Sequence, residues 1–332
     1  MENVSIIIPC RNEENYIGQC IRSFVDMDFE NDRMEILVVD GNSNDNTLSI
    51  IKEYQEKFPF VRLINNPKKF TPFGLNLGIN NARYDYVMIA SAHSSFSKNY
   101  INEVFNVLTE LKADAAGGVM ITDVKNKTKK TLSICKVFSN KFGVGNSIFR
   151  TGAEKVMQVD TVPFGIYRTE LLKETGLYDE RLIRNHDIEL SKRIISKKKK
   201  IYLIPSAKCT YYVRETFSRI AKNNFGNGLW NILTVYITKK LSSISLRHFI
   251  PLLFLLSLII PMILIAWFPW IGYVAALSFA IYFLTILLVS LKIKDRTSSF
   301  YFIFWTFLTL HFSYGFGSLV GLCRIDYLLK FK

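Results

Sequence analysis

The C-terminal third of the chain contains long stretches without a formally charged side chain. Residues 249–291 include no Asp, Glu, Lys or Arg, and residues 300–323 include none either. A helix that crosses a bilayer needs about 20 apolar residues. The first stretch is 43 residues long and can cross twice, and the second is 24 residues long and can cross once. These absences argue against a purely soluble protein.

Acidic residues are also scarce in this part of the chain. Residues 214–332 contain 12 Lys and Arg but only 3 Asp and Glu, whereas residues 1–213 contain 30 against 25. Basic residues beside apolar segments indicate anionic lipid headgroups, with about 1 kcal/mol of attraction for each Lys or Arg. A nucleic-acid-binding protein would carry its basic stripe on the soluble fold. We therefore expect membrane lipids as partners, and no nucleic acid.

The chain has few cysteines and no pattern that groups them. Its five cysteines form no CxxC motif and no short paired spacing, which argues against a zinc cluster or a disulfide framework and favours a reducing compartment. The first apolar run, at residues 4–9, is too short for a secretory signal peptide and is followed at once by charged residues. We expect the soluble part to stay in the cytoplasm.

Apolar runs and helical spacings alternate along the first 90 residues. The pattern predicts buried strands at 4–9, 35–39, 61–64 and 86–90, with helices between them. This alternation indicates an α/β fold with a mostly parallel, Rossmann-like sheet. Ligands on such sheets bind outside the carboxyl ends of the strands. Those ends carry polar residues at 9–13, 40–46 and 91–93, so we expect a nucleotide-sized site at this edge.

The rest of the chain divides by composition. Residues 138–152 are rich in Gly, Ser and Asn and predict a mobile flap that contributes no core. Residues 214–248 mix apolar and basic side chains, which is typical of one or two amphipathic helices in the membrane interface. We expect a catalytic domain at 1–213, these interfacial helices, and a transmembrane region of about three hydrophobic segments at 249–332.

The basic loop between the second and third apolar segments indicates the orientation. It carries Lys292, Lys294 and Arg296, which the positive-inside rule places in the cytoplasm, together with the catalytic domain. Three full crossings would then put the basic C-terminus outside. A re-entrant third segment would avoid this, and both arrangements stay open.

Several motifs resemble the inverting family 2 glycosyltransferases, whose catalytic domain has the GT-A fold. SIIIP at 5–9 and VVDGNSNDNT at 38–47 are similar to the donor-nucleotide signature of that family. The resemblance covers roughly residues 4–215. The segments at 142–146, 159–165 and 185–190 are similar to motifs of a narrower group. This group is the succinoglycan-type glucosyltransferases of exopolysaccharide assembly, which carry C-terminal membrane helices.

The resemblance implies a donor-binding role for residues at the strand ends. It implies that the carboxylate of Asp40 accepts the N3–H of uracil, although a cap on the following helix is the alternative, for which Asp45 is better suited. Glu13 is expected to hold the base or ribose, but a glutamate in a first helical turn is also favoured by the helix dipole. The expected donor-binding residues are Pro9, Arg11, Glu13, Asp40, Ser91, Ala92 and His93.

The segment Ser91-Ala92-His93 occupies the place of the family's Asp-x-Asp, which binds a divalent cation on the donor phosphates. Mn2+ or Mg2+ would act there as a Lewis acid, and an imidazole ligand from His93 favours Mn2+. Ser91 replaces the first carboxylate, which weakens the expectation of a metal. The alternative is that His93 makes only local hydrogen bonds.

The motif NHDIE at 185–189 occupies the place of the family's catalytic acidic motif. The resemblance implies that Asp187 is the general base, while the alternative is an acid-rich helix N-terminus. His186 could orient Asp187 or reach a phosphate, and Glu189 could be structural or contact the acceptor. Phe149 and Arg150 are expected on the acceptor side, or in an ordinary aromatic turn.

We therefore predict a membrane-bound glycosyltransferase that moves one sugar from a nucleotide-sugar, with UDP favoured, to a polyprenyl-diphosphate-linked saccharide. The alternatives are a polyprenyl-phosphate sugar synthase and an inactive membrane scaffold. The expected location is the inner membrane of a bacterial-type cell. Donor sugar, acceptor, linkage and oligomeric state are not encoded in these motifs.

Overall fold

The structure is a computed structural model that describes residues 2–330. The chain divides into two compact units. Unit 1 comprises Met1–Ile121 and Ile148–Tyr212, and unit 2 comprises Thr122–Ser147 and Val213–Lys332. The predicted catalytic domain at 1–213 therefore differs from unit 1, because the segment at 122–147 packs with the C-terminal helices.

Nine strands and fourteen helices are numbered in chain order among the described residues. The strands are β1 Val4–Cys10, β2 Met34–Asp40, β3 Val61–Asn65, β4 Tyr86–Ile89, β5 Ser94–Phe96, β6 Ala115–Asp123, β7 Met157–Gln158, β8 Ile166–Arg168 and β9 Ile201–Tyr212. The helices before β9 are α1 Ile17–Val25, α2 Thr47–Lys57, α3 Thr71–Asn81, α4 Tyr100–Glu110, α5 Lys129–Phe138, α6 Lys141–Val144, α7 Ile148–Thr151, α8 Thr169–Thr175 and α9 His186–Ser196. The later helices are α10 Phe217–Thr238, α11 Ile250–Leu264, α12 Gly272–Ile293, α13 Phe300–Cys323 and α14 Ile325–Lys330.

The predicted α/β class is confirmed, but the sheet is mixed. Its strand order is β3-β2-β1-β4-β8-β6-β9-β5, with β7 beside β9. The pairs among β3, β2, β1 and β4 are parallel, whereas β8 is antiparallel to both β4 and β6, and β9 is antiparallel to β5 and β7. Parallel neighbours require a crossover connection. The expectation of a mostly parallel sheet therefore holds for the half formed by β3, β2, β1 and β4.

The strands β1 and β2 are buried on both faces, as their continuous apolar sequence predicts. Alternate side chains enter two different hydrophobic clusters. Ile6 and Ile8 join the cluster that α1 and α4 cover, and Ile7 joins the cluster that α3, α8 and α9 cover. Each fully buried side chain of this size contributes about 1.5–3 kcal/mol. This burial fixes the strand ends at which the candidate site lies.

Unit 2 contains the three predicted apolar segments, and each is helical. The helices long and apolar enough to cross a membrane are Leu246–Leu264, Pro269–Ile293 and Phe300–Cys323. The third is one unbroken helix of 24 residues, α13, which at 1.5 Å per residue is about 36 Å long. That length matches a bilayer crossing better than a re-entrant turn.

The segment predicted as one or two interfacial helices forms the single helix α10, which packs tightly against α13. A Cβ atom added at Gly228 would lie 2.0 Å from the carbonyl oxygen of Tyr314, and one added at Gly317 would lie 2.0 Å from that of Phe225. Asn231 also donates a side-chain hydrogen bond to the hydroxyl of Tyr314. Glycines therefore allow the two backbones to touch, and the position of α10 relative to a membrane stays a prediction.

The prediction that residues 138–152 contribute no core is wrong for Phe142. This side chain lies in α6, and its ring centroid is 5.5 Å from that of Phe307 and 5.2 Å from that of His311. The carbonyl oxygen of Phe142 lies 3.0 Å from Nε2 of His311. One aromatic residue is enough to anchor a stretch that is otherwise rich in Gly, Ser and Asn.

Candidate active site

Hydrogen bonds join the loops that follow β1 and β2. These strands are adjacent and parallel, so their carboxyl ends meet at one edge of the sheet. The backbone N–H groups of Gly41, Asn12 and Glu13 donate to the Cys10 carbonyl at 2.8 Å, to Ser43 Oγ at 2.9 Å and to Thr47 Oγ1 at 2.7 Å, respectively. The two polar loops predicted from the sequence therefore form one connected surface.

Asp40 lies at the last position of β2 and is 2% exposed. Its carboxylate accepts hydrogen bonds from both the backbone N–H and the hydroxyl of Ser43. A carboxylate has about four acceptor positions, so the uracil contact stays a prediction beside this observed role. The side chain of the N-cap residue Asn46 makes no capping hydrogen bond, and Asp45, one residue earlier, accepts from the backbone N–H groups of Thr47, the first residue of α2, and of Glu14.

Ionisation of Asp45 is favoured by its hydrogen bonds. Partial burial would raise the pKa of this carboxyl, but hydrogen bonds from Thr47 and Glu14 outweigh it and hold the pKa below its ordinary value. The carboxylate is therefore charged at neutral pH, and it joins the start of α2 to the loop after β1.

The side chains of Glu13 and His93 meet across this edge. Nε2 of His93 lies 2.9 Å from Oε1 of Glu13, and both side chains are largely shielded from solvent. The ring of Tyr16 packs edge-on against the His93 ring, with centroids 4.9 Å apart. This pair connects the loop after β4 to the loop after β1.

Ser91 and Ala92 build the turn that presents His93. The backbone N–H of His93 lies 3.4 Å from Ser91 Oγ, and Ala92 is buried. The thiol of Cys20 donates to the carbonyl of Ser91, and burial raises the pKa of that thiol to about 12. Ser91 therefore acts within its own turn, and Cys20 is a protonated packing group.

Pro9 and Arg11 flank the end of β1. Pro9 lies opposite Val39 in the parallel pair with β2 and is half-buried, and Arg11 is exposed directly after the strand. Their donor-binding roles stay predictions. Their positions at the strand end are compatible with a ligand at this edge.

Asp187 lies in the first turn of α9. Its side chain is exposed to solvent. The preceding Asn185 adopts a left-handed conformation with φ of 61°, which ends the loop and starts the helix. An ionisable group that is exposed in this way is accessible to a substrate.

Burial controls the ionisation of the aromatic residues near Asp187. It raises the pKa of Tyr167 and of Tyr178, and the charge of Asp187 acts in the same direction on both. Burial also lowers the pKa of His186, against the charge of Asp187, so this imidazole is neutral at pH 7. The His186 ring packs edge-on against Tyr178, and its Nδ1 is buried without a hydrogen-bond partner.

Glu189 has a structural role in this helix. It is buried and makes a two-pronged ion pair with Arg193, at 2.7 and 2.8 Å. Arg193 in turn donates to the carbonyl oxygens of Thr175 and Leu177, which ties α9 to the end of α8. Of the two acidic residues in the motif, Asp187 alone faces solvent.

Tyr211 lies between His93 and Arg150, and no sequence motif predicted a role for it. Its ring centroid is 6.3 Å from that of His93, and the guanidinium carbon of Arg150 lies 5.4 Å from the Tyr211 ring centroid. Asp187 is close enough to Arg150 for its charge to act on that guanidinium. His93 and Asp187, which are 94 residues apart, are therefore connected through Tyr211 and Arg150.

Comparison with known proteins identifies the family. Residues 5–176 match the Glycosyl transferase family 2 domain, which is more than half of the chain. The chain belongs to glycosyltransferase family 2. This confirms the resemblance read from the motifs, and the protein is a glycosyltransferase.

Curated relatives of this glycosyltransferase agree. It is 30% identical over 233 residues to the dolichyl N-acetyl-α-D-glucosaminyl phosphate 3-β-D-2,3-diacetamido-2,3-dideoxy-β-D-glucuronosyltransferase of Methanococcus voltae, covering 69% of this chain and 72% of that protein. It is 27% identical over 217 residues to the probable glycosyltransferase YdaM of Bacillus subtilis, covering 62% of this chain and half of that protein.

Solved structures confirm the GT-A fold. The mannosyltransferase PcManGT of Pyrobaculum calidifontis, solved with GDP-Man and Mn2+, aligns with a TM-score of 0.60 at 16% identity over 97% of this chain and 87% of that one. Residues 1–349 of TarS from S. aureus, solved with UDP-GlcNAc, align with a TM-score of 0.51 at 15% identity over 96% of this chain and 90% of that one. At such identities the likeness concerns the fold.

Proposed function

We propose that this glycosyltransferase is a membrane-bound inverting enzyme that transfers one sugar from a nucleotide-sugar, with a UDP-sugar as the expected donor, to a polyprenyl-diphosphate-linked saccharide in cell-surface polysaccharide synthesis. The observation that carries the proposal is the exposed carboxylate of Asp187, close enough to Arg150 for its charge to act there, in a chain that also holds three helices long enough to span a bilayer. The relative from M. voltae supports a lipid-linked acceptor, because its name describes a dolichyl-linked sugar.

The reaction assigns one step to Asp187. Its carboxylate removes the proton from the acceptor hydroxyl, and the resulting oxygen forms a bond to the anomeric carbon of the donor sugar. The bond from that carbon to the diphosphate breaks on the opposite face, so the configuration inverts and a nucleoside diphosphate leaves. A positioned general base contributes about 10² to 10⁴-fold to such a step.

Glu13 and His93 are the residues that fit a divalent cation. No group of three or more His, Cys, Asp or Glu side chains with metal-binding geometry occurs within residues 2–330. Mg2+ in enzymes is commonly held by one or two carboxylates, with substrate phosphates and water completing its shell. Glu13 supplies one carboxylate, and the His93 imidazole, 2.9 Å from it, adds a nitrogen ligand that a transition metal such as Mn2+ accepts more readily. A cation held there, Mn2+ or Mg2+, would neutralise charge on the donor diphosphate.

The proposed location is the inner membrane of a bacterial-type cell, with the catalytic unit in the cytoplasm. The loop between α12 and α13 carries Lys292, Lys294 and Arg296, and the positive-inside rule places such a loop in the cytoplasm. The exopolysaccharide subgroup and the interfacial position of 214–248 are part of the same proposal.

Two assays on the full-length protein in nanodiscs test the proposal. The first measures the thermal unfolding temperature with a panel of nucleotide-sugars. A true donor at 100 times its Kd stabilises the fold by about 2.7 kcal/mol. The second measures transfer from the stabilising donor to a polyprenyl-diphosphate-linked sugar and to bare polyprenyl phosphate, with the product anomer assigned by NMR.

Each outcome of these assays has one meaning. Transfer to the lipid-linked sugar with an inverted anomer supports the proposal. Transfer only to polyprenyl phosphate identifies a polyprenyl-phosphate sugar synthase, whose acceptor arrives already ionised and does not depend on Asp187. A retained anomer contradicts the mechanism. If no nucleotide-sugar raises the unfolding temperature and no sugar is transferred, the proposal fails and the inactive membrane scaffold is favoured.

A further inference from the structure

The positively charged side chain of Arg150 has a buried nitrogen, Nη1, with no hydrogen-bond partner among the described residues. The residue is only partly buried as a whole, yet its Nη1 is inaccessible to solvent and has no hydrogen-bond partner. By contrast, Arg62 pairs with Glu35 at 2.7 Å and Arg193 pairs with Glu189 at 2.7 Å, each against a buried carboxylate. Burying a charged group lowers the stability of the fold unless an opposite charge or a hydrogen-bond partner compensates for the lost contact with water.

Two aromatic rings hold the Arg150 guanidinium in place. Its carbon lies 5.7 Å from the ring centroid of Phe149 and 5.4 Å from that of Tyr211. Stacking of this kind fixes the plane of a guanidinium but satisfies none of its N–H groups. The side chain is therefore held between two rings, with N–H groups left for an anion that has several acceptor oxygens.

The surroundings indicate which anion this is. The Tyr211 ring that holds Arg150 also lies edge-on to His93, with centroids 6.3 Å apart, and His93 occupies the turn expected at the donor phosphates. Ser91 stands in that turn where the resemblance implies a carboxylate, so this turn offers one cation ligand fewer beside the phosphates. Burial lowers the pKa of Arg150, but the charge of Asp187 opposes this, and a guanidinium stays protonated at neutral pH.

We propose that Arg150 binds the diphosphate of the nucleotide-sugar donor and stabilises the charge that develops on it as the sugar leaves. The guanidinium matches phosphate oxygens in a two-pronged geometry and does so most strongly where water is excluded. This assignment rests on the proposed function. It replaces the expected role of Arg150 on the acceptor side by a contact with the leaving group.

Equilibrium binding of UDP, UMP and uridine to the full-length protein, in the presence of Mn2+, tests this inference. We compare wild type with Arg150→Met, which removes the charge but keeps an apolar stem for the two rings. We expect about a 10- to 100-fold weaker Kd for UDP, a smaller loss for UMP and no loss for uridine. Arg22→Met is the matched control, because Arg22 is exposed and its ion pair with Asp26 lies on the surface, outside the candidate site.

The unfolding temperature without ligand separates a binding role from a structural one. Loss of an unpaired buried cation should leave that temperature unchanged or raise it. A lower value together with unchanged UDP affinity would show that Arg150 only positions Asp187 or the turn, and would overturn the inference. A weaker KM for the lipid-linked acceptor at unchanged UDP affinity would also overturn it, by placing the anion on the acceptor. If no nucleotide binds wild type, the proposed function itself fails.

Discussion

The substitution Asp187→Asn should abolish transfer without weakening the fold. Asparagine keeps the shape of the side chain but cannot take a proton from the acceptor. We expect kcat to fall about 10² to 10⁴-fold, which corresponds to roughly 3–5 kcal/mol in the activation free energy. Affinity for the nucleotide-sugar should not change, because the base acts on the acceptor.

The small effect on stability follows from the surroundings of Asp187. The carboxylate is exposed and lies in the first turn of α9, where a negative charge is favoured by the helix dipole. A charge in that position contributes about 0.3–1 kcal/mol. We expect the free energy of unfolding to fall by no more than this.

Glu189→Gln provides the matched control, since it makes the same chemical change two residues along the same helix. Glu189 is buried and holds Arg193 through two hydrogen bonds. Breaking such a pair from one side costs about 3–5 kcal/mol, and the lower end applies because Arg193 is partly exposed. This variant should unfold more easily but keep its turnover when folded.

Single-turnover transfer in nanodiscs, together with thermal unfolding of each variant, measures both quantities. Turnover of Asp187→Asn within a factor of three of wild type would refute the assignment of the base. A loss of stability equal to that of Glu189→Gln would also refute it, because lost activity would then reflect lost structure.

Three further variants test other parts of the structure. His93→Ala should raise the Mn2+ concentration needed for half-maximal activity by about tenfold or more, because it removes one of two cation ligands. Asp45→Ala should cost about 1 kcal/mol at pH 7. Because the folded pKa of Asp45 is lowered, that contribution is present above about pH 4 and is lost as the pH falls through the folded value. Gly228→Ala should cost about 1–3 kcal/mol, since its Cβ would meet the Tyr314 carbonyl oxygen at 2.0 Å.

Each of these variants has a control and a contradicting outcome. Asp26→Asn, on the surface of α1, should leave the Mn2+ titration unchanged, and an unchanged titration in His93→Ala would remove His93 from the cation site. Asp45→Asn keeps the acceptor oxygen, so a loss equal to that of Asp45→Ala would exclude the cap. Gly18→Ala meets only ordinary contacts and should be neutral or stabilising. Equal unfolding temperatures for Gly228→Ala and wild type would contradict the close packing of α10 and α13.

Local patterns predicted the elements well where one segment decides its own structure. The continuous apolar runs of β1 and β2 indicate strands buried on both faces, and the structure places alternate residues of β1 in two separate cores. The uncharged stretches likewise predicted the three long apolar helices. The length and apolar composition of one segment are enough to indicate a membrane-spanning helix, without information from any other segment.

The mixed sheet and the packing of 122–147 could not be predicted in this way. The periodicity of apolar residues along the sequence indicates whether a strand is buried. It does not indicate which other strand it pairs with. Phe142 shows the same limit, since its surroundings in the sequence favour a loop and its partners Phe307 and His311 lie more than 160 residues away.

The sequence by itself determined the family, the α/β class and which polar loops follow the parallel strands, because these depend on residues close together in the chain. Only the tertiary structure decided that Glu13 pairs with His93, that Tyr211 lies between His93 and Arg150, and that Asp187 rather than Glu189 faces solvent. These relations depend on antiparallel pairing and helix packing between distant segments, and such contacts leave no periodic trace in the sequence.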